Sequence, residues 1–304
     1  MKFSPMTLGT VQLGMNYGIA NDAGKPDEEK SFSILRSALE GGVNTLDTAR
    51  AYGDSELVIG RFLKQWQGQR PNIITKVPKL QGNSPRELEK FATESVELSL
   101  ERLGVNKVDG IMLHGAKDPI IHGKKCADAV KALLDHGYTD RVGVSVYVAE
   151  DIEGMLPYDV FSLTQVPMSI FDQQLIADGS ISRLQERGYS VFVRSVFLQG
   201  LFFLDPDKVD DPILVEHAVP KIRLLQRIAA DLGISVAQLA IAFMRDCAGV
   251  TSLVLGADTP EQVKSNIAYF DAPALDDSVM QLLQKEFAFV DIPEIMKVLS
   301  RPKK

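Results

Sequence analysis

Short apolar segments alternate with longer helical patterns along most of the chain. Each apolar segment is six or seven residues long, and Gly, Pro, Asn or Asp marks most of the junctions. This alternation is typical of βαβ units, in which a helix connects two parallel strands. The predicted strands are residues 6–11, 43–49, 72–77, 108–114, 141–147, 160–166, 190–196 and 251–256.

Eight such strands predict an α/β fold of the (β/α)8 TIM-barrel type, with residues 1–304 in a single domain. An open doubly wound sheet would usually have about six strands and a glycine fingerprint after the first. No GxGxxG follows residues 6–11. The sequence therefore favours the closed barrel.

Two helical segments carry clear start signals. SPRELEKFATESVELSLERLG (84–104) begins with Ser-Pro-x-Glu and ends at Gly104, and TPEQVKSNIAYF (259–270) begins in a similar way. Such residues cap the free backbone groups at helix ends. Residues 271–304 are predicted to form a terminal helix and tail packed on the barrel.

Charge and cysteine content exclude several classes of protein. The net charge of -7 argues against nucleic acid, which normally requires a basic face. Cys126 and Cys247 match no metal-ligand spacing, so no metal site is predicted. No apolar run approaches the ~20 residues of a membrane span, and no export signal is present. We expect a cytoplasmic protein without a membrane partner, as a monomer or weak oligomer.

Polar side chains follow three consecutive predicted strands. Asp47, Lys76 and His114 lie at the strand ends, and Tyr52 lies on the loop after Asp47. In a barrel these ends face one mouth, where the chemistry is done. An ammonium ~4 Å from a phenol contributes roughly 4 kcal/mol, or about 3 pKa units before desolvation is subtracted. We therefore predict that Lys76 lowers the pKa of Tyr52 and makes it a general acid.

Asp47 would hold Lys76 charged, and His114 would hydrogen-bond the atom that Tyr52 protonates. Taken singly, each of these residues has an ordinary structural explanation. An Asp at a strand end is often a cap, a Tyr often packs, a Lys is often on the surface and a His is often buried in the core. Four of them at successive strand ends favour the functional interpretation.

These motifs resemble those of the aldo-keto reductases over nearly the whole chain. LDTARAYG, SELVIG, ITKV, LHG and GVSV occur in that family's order, followed by a glutamine late in the sixth strand and TPEQVKSN after the eighth. The resemblance implies an enzyme that reduces an aldehyde or ketone, such as a sugar or small aliphatic carbonyl, with NAD(P)H. It also implies that Tyr52 is the general acid, that Lys76 and Asp47 tune it and that His114 orients the carbonyl.

The resemblance further implies a nicotinamide cofactor that lies across the barrel mouth without a Rossmann motif. Ser145 and Gln165 would bind its carboxamide, the residues after the seventh strand its pyrophosphate, and residues around the eighth strand its adenosine. The implied cofactor-binding residues are Thr10, Val11, Ser145, Gln165, Arg194, Ser195, Phe197, Gly200, Gly256, Asp258, Gln262 and Asn266.

Three departures from the family pattern affect these assignments. Arg194 stands where many members stack an aromatic ring on the nicotinamide, and a planar guanidinium can also stack. Val146 replaces an asparagine. Gly256 and Gln262 stand where relatives often carry basic residues that bind a 2'-phosphate, which leaves Lys264 in reach and the like charge of Asp258 nearby. NADP(H) is the family default, and NAD(H) remains open.

Substrate-binding residues are expected on the loops of the mouth. The loop LGMNYGIANDAG after the first strand offers Met15, Asn16 and Tyr17 as lining residues. Residues 201–212 form either a wall or lid of the site or an ordinary surface connection.

Two other functions stay open at this point. A lyase could form a Schiff base on Lys76, although that reaction needs a neutral lysine and Asp47 would keep it charged. A non-catalytic regulatory barrel could retain the fold and the cofactor and turn over slowly. The four intact catalytic positions favour the reductase.

Overall fold

Eight parallel strands form one closed barrel in a computed structural model that describes residues 2–18 and 24–301. The strands pair in chain order and β8 closes against β1. The predicted (β/α)8 fold is confirmed. The strands are β1 Met6–Gly9, β2 Thr45–Asp47, β3 Asn72–Val77, β4 Gly110–Leu113, β5 Val142–Ser145, β6 Phe161–Pro167, β7 Ser190–Arg194 and β8 Ser252–Gly256.

Helices surround the barrel and connect its strands. They are α1 Val11–Gly14, α2 Glu28–Glu40, α3 Ser55–Leu63, α4 Pro85–Leu103, α5 Asp118–His122, α6 Lys124–Asp135, α7 Ala149–Met155, α8 Gln174–Ala177, α9 Ser180–Glu186, α10 Pro212–His217, α11 Val219–Asp231, α12 Val236–Arg245, α13 Pro260–Ala268, α14 Asp277–Glu286 and α15 Ile292–Leu299. Short 3-10 segments cover Leu198–Phe203 and Tyr269–Asp271. Within the described residues no single helix is long and apolar enough to cross a membrane, although the bent pair α11 and α12 would pass by length and composition together.

Several strands are shorter than the apolar pattern predicted. Strand β2 covers three residues, whereas the pattern covered 43–49. Val43 and Ala49 are buried although they lie outside the paired segment. An apolar pattern indicates which residues are buried, and residues stay buried beyond the point where the strand stops pairing with its neighbours.

The predicted caps are present at both helices. Ser84 accepts a hydrogen bond from the N–H of Glu87 at 3.3 Å, and the Glu87 carboxylate accepts one from the N–H of Ser84 at 3.0 Å. Gly104 ends α4 with φ +66°, a conformation that glycine adopts at little cost. Thr259 accepts from the N–H of Gln262 at the start of α13.

The carboxyl-terminal segment contains two helices where the sequence predicted one. Asp291 accepts a hydrogen bond from the N–H of Glu294 and begins α15, with Pro293 in its first turn. Proline lacks an N–H and cannot continue a preceding helix, so it starts a new one. Ile295 and Leu299 are buried, and α15 packs on α10. Residues 302–304 of the predicted tail, and residues 19–23 of the loop after β1, lie outside the described residues.

An apolar layer fills the barrel below its mouth. Phe3 lies at the amino-terminal end, with its ring 5.0 Å from that of Phe192 in an edge-to-face arrangement. Side chains alternate across a strand, so the residue two positions later points to the same side. On several strands the inward apolar residue is therefore followed, two positions later, by an inward polar residue nearer the mouth. The successive inward pairs are Ile74 and Lys76, Met112 and His114, Leu163 and Gln165, and Phe192 and Arg194.

Two glycines let α1 touch the loop that carries Tyr52. A Cβ on Gly14 would lie 1.7 Å from the carbonyl oxygen of Tyr52, and one on Gly53 would lie 2.4 Å from the carbonyl oxygen of Gly14. Gly53 also has φ +55°. The backbone contact fixes where the Tyr52 loop sits beside α1.

We expect Gly14→Ala to lower the free energy of unfolding by about 2–3 kcal/mol, because the added methyl group meets backbone that cannot move aside. Urea denaturation measures the change. Gly188→Asn is the matched control, since its Cβ would meet nothing within 4 Å and asparagine tolerates its φ of +72°. A Gly14→Ala protein as stable as the control would contradict the backbone contact.

Candidate active site

A buried ion pair between Asp47 and Lys76 lies at the floor of the mouth. The Lys76 ammonium donates to both carboxylate oxygens of Asp47, at 2.6 and 2.8 Å, and to the carbonyl oxygen of Thr48 at 3.1 Å. Gln165 donates from its amide to Asp47 at 2.8 Å. Both charged side chains are almost completely buried. Each charge therefore has hydrogen-bond partners as well as its counter-ion, as a buried pair requires.

The pKa of Lys76 reflects these contacts. Burial disfavours its charged form, but the charges and hydrogen bonds of Asp47 and Tyr52 together outweigh burial and raise the pKa above its ordinary value. Lys76 is thus an ammonium at every physiological pH.

Tyr52 stands next to this pair, with its hydroxyl 3.4 Å from the Lys76 nitrogen. Burial raises the pKa of Tyr52, and although Lys76 opposes this shift, the net change is upward. Lys76 lowers the pKa of Tyr52, as the sequence predicted, but burial is the larger effect and the Asp47 carboxylate also opposes the lysine. Tyr52 is consequently protonated at neutral pH.

His114 lies beside Tyr52 at the end of β4. The two rings meet edge to face, with centroids 6.0 Å apart. Burial, and then the charge of Lys76, lowers the pKa of His114 to about 4. The imidazole is therefore neutral at pH 7 and has one N–H to donate. The predicted set of four residues is brought together in one place.

Thr10 links the first two strands beneath the site. Its hydroxyl donates to the carbonyl oxygen of Asp47 at 2.8 Å and accepts from Ser55 at 2.7 Å. Both hydroxyl groups are buried and used within the protein. Thr10 thus holds the Asp47 backbone in place. Because its hydroxyl is used within the protein, any contact with a ligand must come from other atoms of Thr10.

A cavity of about 550 Å³ opens above these residues. It extends from Asp47 and Tyr52 to the start of α13. Its lining includes most of the residues that the sequence assigned to a cofactor. These are Thr10, Val11, Gln165, Arg194, Ser195, Phe197, Gly200, Gly256, Asp258, Gln262 and Asn266.

Some predicted residues lie elsewhere. Ser145 is buried beside Gln165 at the end of β5 and is not among the lining residues. Met15 is exposed and also outside the lining, whereas Tyr17 is part of it. Of residues 201–212, Phe203 reaches the cavity. The wall of the site therefore includes the first part of that segment.

Sequence reasoning missed several lining residues. Glu261, Ser265 and Tyr269 lie on the same face as Gln262 and Asn266. Their spacing of three and four residues along α13 is the signal that could have found them. Gln12 and Gln199 carry no such signal, because only the folded backbone brings them to the cavity.

The segment after β7 has an unusual backbone. Ser195, Leu198 and Gln199 have φ of +64°, +46° and +56°, and they are the only non-glycine residues with positive φ in the described parts of the chain. Left-handed backbone costs energy at such residues and is concentrated at ligand sites. The strain falls where the sequence placed the pyrophosphate contacts.

Gln12 lies across Gly256 at the other side of the cavity. A Cβ on Gly256 would come within 2.2 Å of the Gln12 amide nitrogen, so a side chain at this position would displace the end of Gln12. The side-chain oxygen of Gln12 is buried without a hydrogen-bond partner, and a buried acceptor of this kind suits a ligand that donates to it. Asn266 donates to the carbonyl oxygen of Gly256, and Gln262 accepts from the N–H of Asp258. In the described residues no cluster of His, Cys, Asp and Glu could hold a metal ion.

Comparison with known proteins gives a consistent match. Residues 5–286 match the model of the aldo/keto reductase family. A solved structure of the aldo-keto reductase AKR11C1 from Bacillus halodurans, in its holo form, is 25% identical and has a TM-score of 0.75. That match covers 93% of this chain and 92% of the other.

Two curated relatives differ in their named roles. The NADH-specific methylglyoxal reductase of Escherichia coli is 26% identical over 87% of this chain and 89% of its own. A putative voltage-gated potassium channel subunit beta of Schizosaccharomyces pombe is 26% identical over 79% of each chain.

The lowered pKa of His114 predicts a dependence of stability on pH. Between pH 4 and 6.5 the unfolded state binds this proton and the native state does not, so stability rises with pH across that window. From pH 7 to pH 5 the protein should lose about 2 kcal/mol of unfolding free energy through this group. Urea titrations of wild type and His114→Gln at both pH values measure the loss.

From pH 7 to pH 5, His114→Gln should lose about 2 kcal/mol less unfolding free energy than wild type. His136→Gln, which changes an exposed histidine on another face, serves as the control and should behave like wild type. Equal losses in wild type and His114→Gln would show that His114 does not carry the dependence.

Proposed function

Because the chain belongs to the aldo/keto reductase family, we propose that it reduces an aldehyde or ketone with a nicotinamide cofactor and that Tyr52 protonates the carbonyl oxygen. The observation that carries this proposal is the contact of a protonated Tyr52 with the buried Lys76–Asp47 pair beside a neutral histidine. Of these groups, Tyr52 and Asp47 line the cavity directly.

The residues of the cavity fit a nicotinamide cofactor. The cavity volume of about 550 Å³ falls in the range of ligand sites. The unpartnered side-chain oxygen of Gln12 offers a hydrogen-bond acceptor inside the cavity. When bound, the cofactor supplies the hydride, which is chemistry that no side chain provides. Gln165 would hold its carboxamide end, the strained segment after β7 its phosphates, and Asn266 its adenosine end.

Tyr52 is the proton donor in this proposal. Its raised pKa keeps the proton on the phenol until a carbonyl oxygen gains negative charge. The Lys76 ammonium, 3.4 Å from the hydroxyl, then stabilises the phenolate that remains. Asp47 keeps that ammonium charged and aimed at Tyr52.

His114 orients the carbonyl. A neutral imidazole donates one hydrogen bond to the carbonyl oxygen without competing as an acid, since its pKa is about 4. Its ring lies edge-on to Tyr52, so both groups can reach the same oxygen. Two donors on one oxygen fix the carbonyl for attack at carbon.

The alternatives fit less well. A Schiff base on Lys76 needs a neutral amine, whereas this ammonium is buried with Asp47 and its pKa is raised. A non-catalytic cofactor-binding role is the second candidate, because several relatives are named as channel subunits. The complete arrangement of Tyr52, Lys76 and Asp47 favours turnover over that role.

Negative charge at the adenosine end bears on the choice of cofactor. Asp258 and Glu261 both line this part of the cavity, and Lys264 does not. Hydrogen bonds at the start of α13 hold the pKa of Glu261 below its ordinary value, so its carboxylate is charged. A 2'-phosphate would meet like charge here. We therefore expect NADH to bind at least as tightly as NADPH.

Replacing Tyr52 with Phe should lower kcat for a good aldehyde substrate by a factor of about 10²–10⁴, because the proton donor is lost. The dissociation constant of the cofactor, measured by calorimetry, should change little. Steady-state assays with both nicotinamide cofactors measure the turnover.

Tyr138→Phe is the matched control, since that hydroxyl binds Glu97 on the protein surface. It should retain wild-type turnover. Activity that survived in Tyr52→Phe would remove Tyr52 from the proposed role, and a wild type that binds the cofactor without turnover would favour the non-catalytic candidate.

Glu261→Gln should improve the affinity for NADPH relative to NADH by roughly threefold or more at low salt, because one repulsive charge is removed. Calorimetric dissociation constants for both cofactors give the ratio. Glu294→Gln removes a carboxylate from the first turn of α15 and is the control. An unchanged ratio in Glu261→Gln would place the 2'-position away from Glu261.

A further inference from the structure

We propose that Arg194 binds an anionic group, a carboxylate or a phosphate, on the carbonyl substrate. The inference rests on the proposed function and gives its substrate a chemical class. It also assigns Arg194 a role different from the stacking contact that the sequence suggested.

Arg194 is the last residue of β7 and lies in the polar layer directly above Phe192. Among the described residues that line the cavity it is the only one with a positive side chain. No carboxylate in the described residues lies within the 4.0 Å of its guanidinium that a salt bridge requires. The cavity thus contains one cation without a counter-ion in direct contact.

The protein already holds the guanidinium in place. Its central carbon lies 4.5 Å from the centre of the Tyr147 ring, and one nitrogen donates to the carbonyl oxygen of Val146 at 3.4 Å. Stacking on Tyr147 covers one face of the plane and fixes its orientation. An arginine held in this way loses little further entropy when it binds an anion.

Its hydrogen-bonding capacity is largely unused. A guanidinium has five N–H donors, and the protein contact given above occupies one of them. Stacking on a ligand ring would use the flat face and leave these donors without acceptors. A carboxylate or phosphate accepts two of them side by side, which is the geometry that arginine recognises best. The unused edge therefore favours an oxyanion over an aromatic ring.

The cation also lies near the reacting groups. Its charge acts on Tyr17, Tyr52 and His114, and in each case it opposes a rise in pKa or adds to a fall. Tyr52 and His114 are the groups that would hold the carbonyl oxygen. An anion on Arg194 would therefore belong to the same small molecule as that carbonyl.

Nearby negative charge does not satisfy Arg194. Asp172 feels its charge, but burial raises the pKa of that carboxyl to about 6, and the two groups form no ion pair within 4.0 Å. Asp172 is not a lining residue, and Asp47, which is one, is paired with Lys76. The remaining acidic lining residues, Asp258 and Glu261, lie around the start of α13. One part of the cavity is consequently positive and the other negative, which favours a substrate anion at the Arg194 side.

Matched substrates test this inference. One pair is 4-carboxybenzaldehyde and its methyl ester, and the other is glyceraldehyde 3-phosphate and glyceraldehyde. For each pair we define the anion preference as kcat/KM for the anion divided by kcat/KM for the neutral partner. Arg194→Met should lower this preference by roughly 10- to 100-fold, the usual loss for a charge-assisted hydrogen-bonded contact. The pair with the larger loss identifies carboxylate or phosphate as the better ligand.

Two further variants make the test specific. Arg194→Lys keeps the charge and loses the paired donors, so it should restore part of the preference. Arg36→Gln removes an exposed positive charge from α2 and should leave the preference unchanged. An anion preference that is the same in wild type and Arg194→Met would overturn the inference. A cofactor dissociation constant that rises tenfold in Arg194→Met, with the preference unchanged, would overturn it in favour of a cofactor contact.

Binding separates this inference from the proposed reaction. Calorimetry of 4-carboxybenzyl alcohol and of benzyl alcohol with cofactor-loaded protein requires no turnover. If wild type reduces neither member of either pair, the proposed function fails. Tighter binding of the carboxylate, lost in Arg194→Met, would still support the anion site, and equal binding of the two alcohols would overturn it.

Discussion

The ion pair between Asp47 and Lys76 is the interaction on which the rest of the site depends. Two charges with almost no exposed surface remain ionised because each also has neutral hydrogen-bond partners, Thr48 for the lysine and Gln165 for the aspartate. Replacing either Asp47 or Lys76 by a neutral residue would leave the other charge buried alone, which costs far more than the pair contributes. The pair is therefore both a structural requirement of the barrel mouth and the source of the field at Tyr52.

The barrel determines where this pair lies. Inward side chains recur every second residue, so an apolar layer around Phe192 supports a polar layer one step closer to the mouth. Because the neighbouring strands run parallel, their inward side chains lie at the same level along the barrel axis. The site consequently rests on the packed interior of the barrel, and only the loops above it are available to set which ligand binds. Arg194, at the end of β7, is the positive group of the cavity, and Asp258 and Glu261 add negative charge at the start of α13.

Prediction from sequence succeeded where local pattern and fold agree. The strand ends marked by Asp47, Lys76 and His114 converge as expected, because a closed parallel barrel leaves them no other place. The lowering effect of Lys76 on the pKa of Tyr52 was predicted with the right direction, but the net pKa is raised, because burial depends on the folded surroundings and outweighs the lysine. Gln12 was missed for a related reason: its oxygen loses solvent only when α1 folds over Gly256.

The sequence by itself determined the number and order of the strands, the caps of α4 and the residue types at the strand ends, because these depend on short-range periodicity and backbone chemistry. Tertiary structure decided the quantities that need distances between remote segments. These are the protonation of Tyr52 and His114, the shape of the cavity and the unsatisfied edge of Arg194. Electrostatic energy and desolvation depend on every neighbouring atom, and the neighbours of a residue in a barrel come from strands that are far apart in the chain.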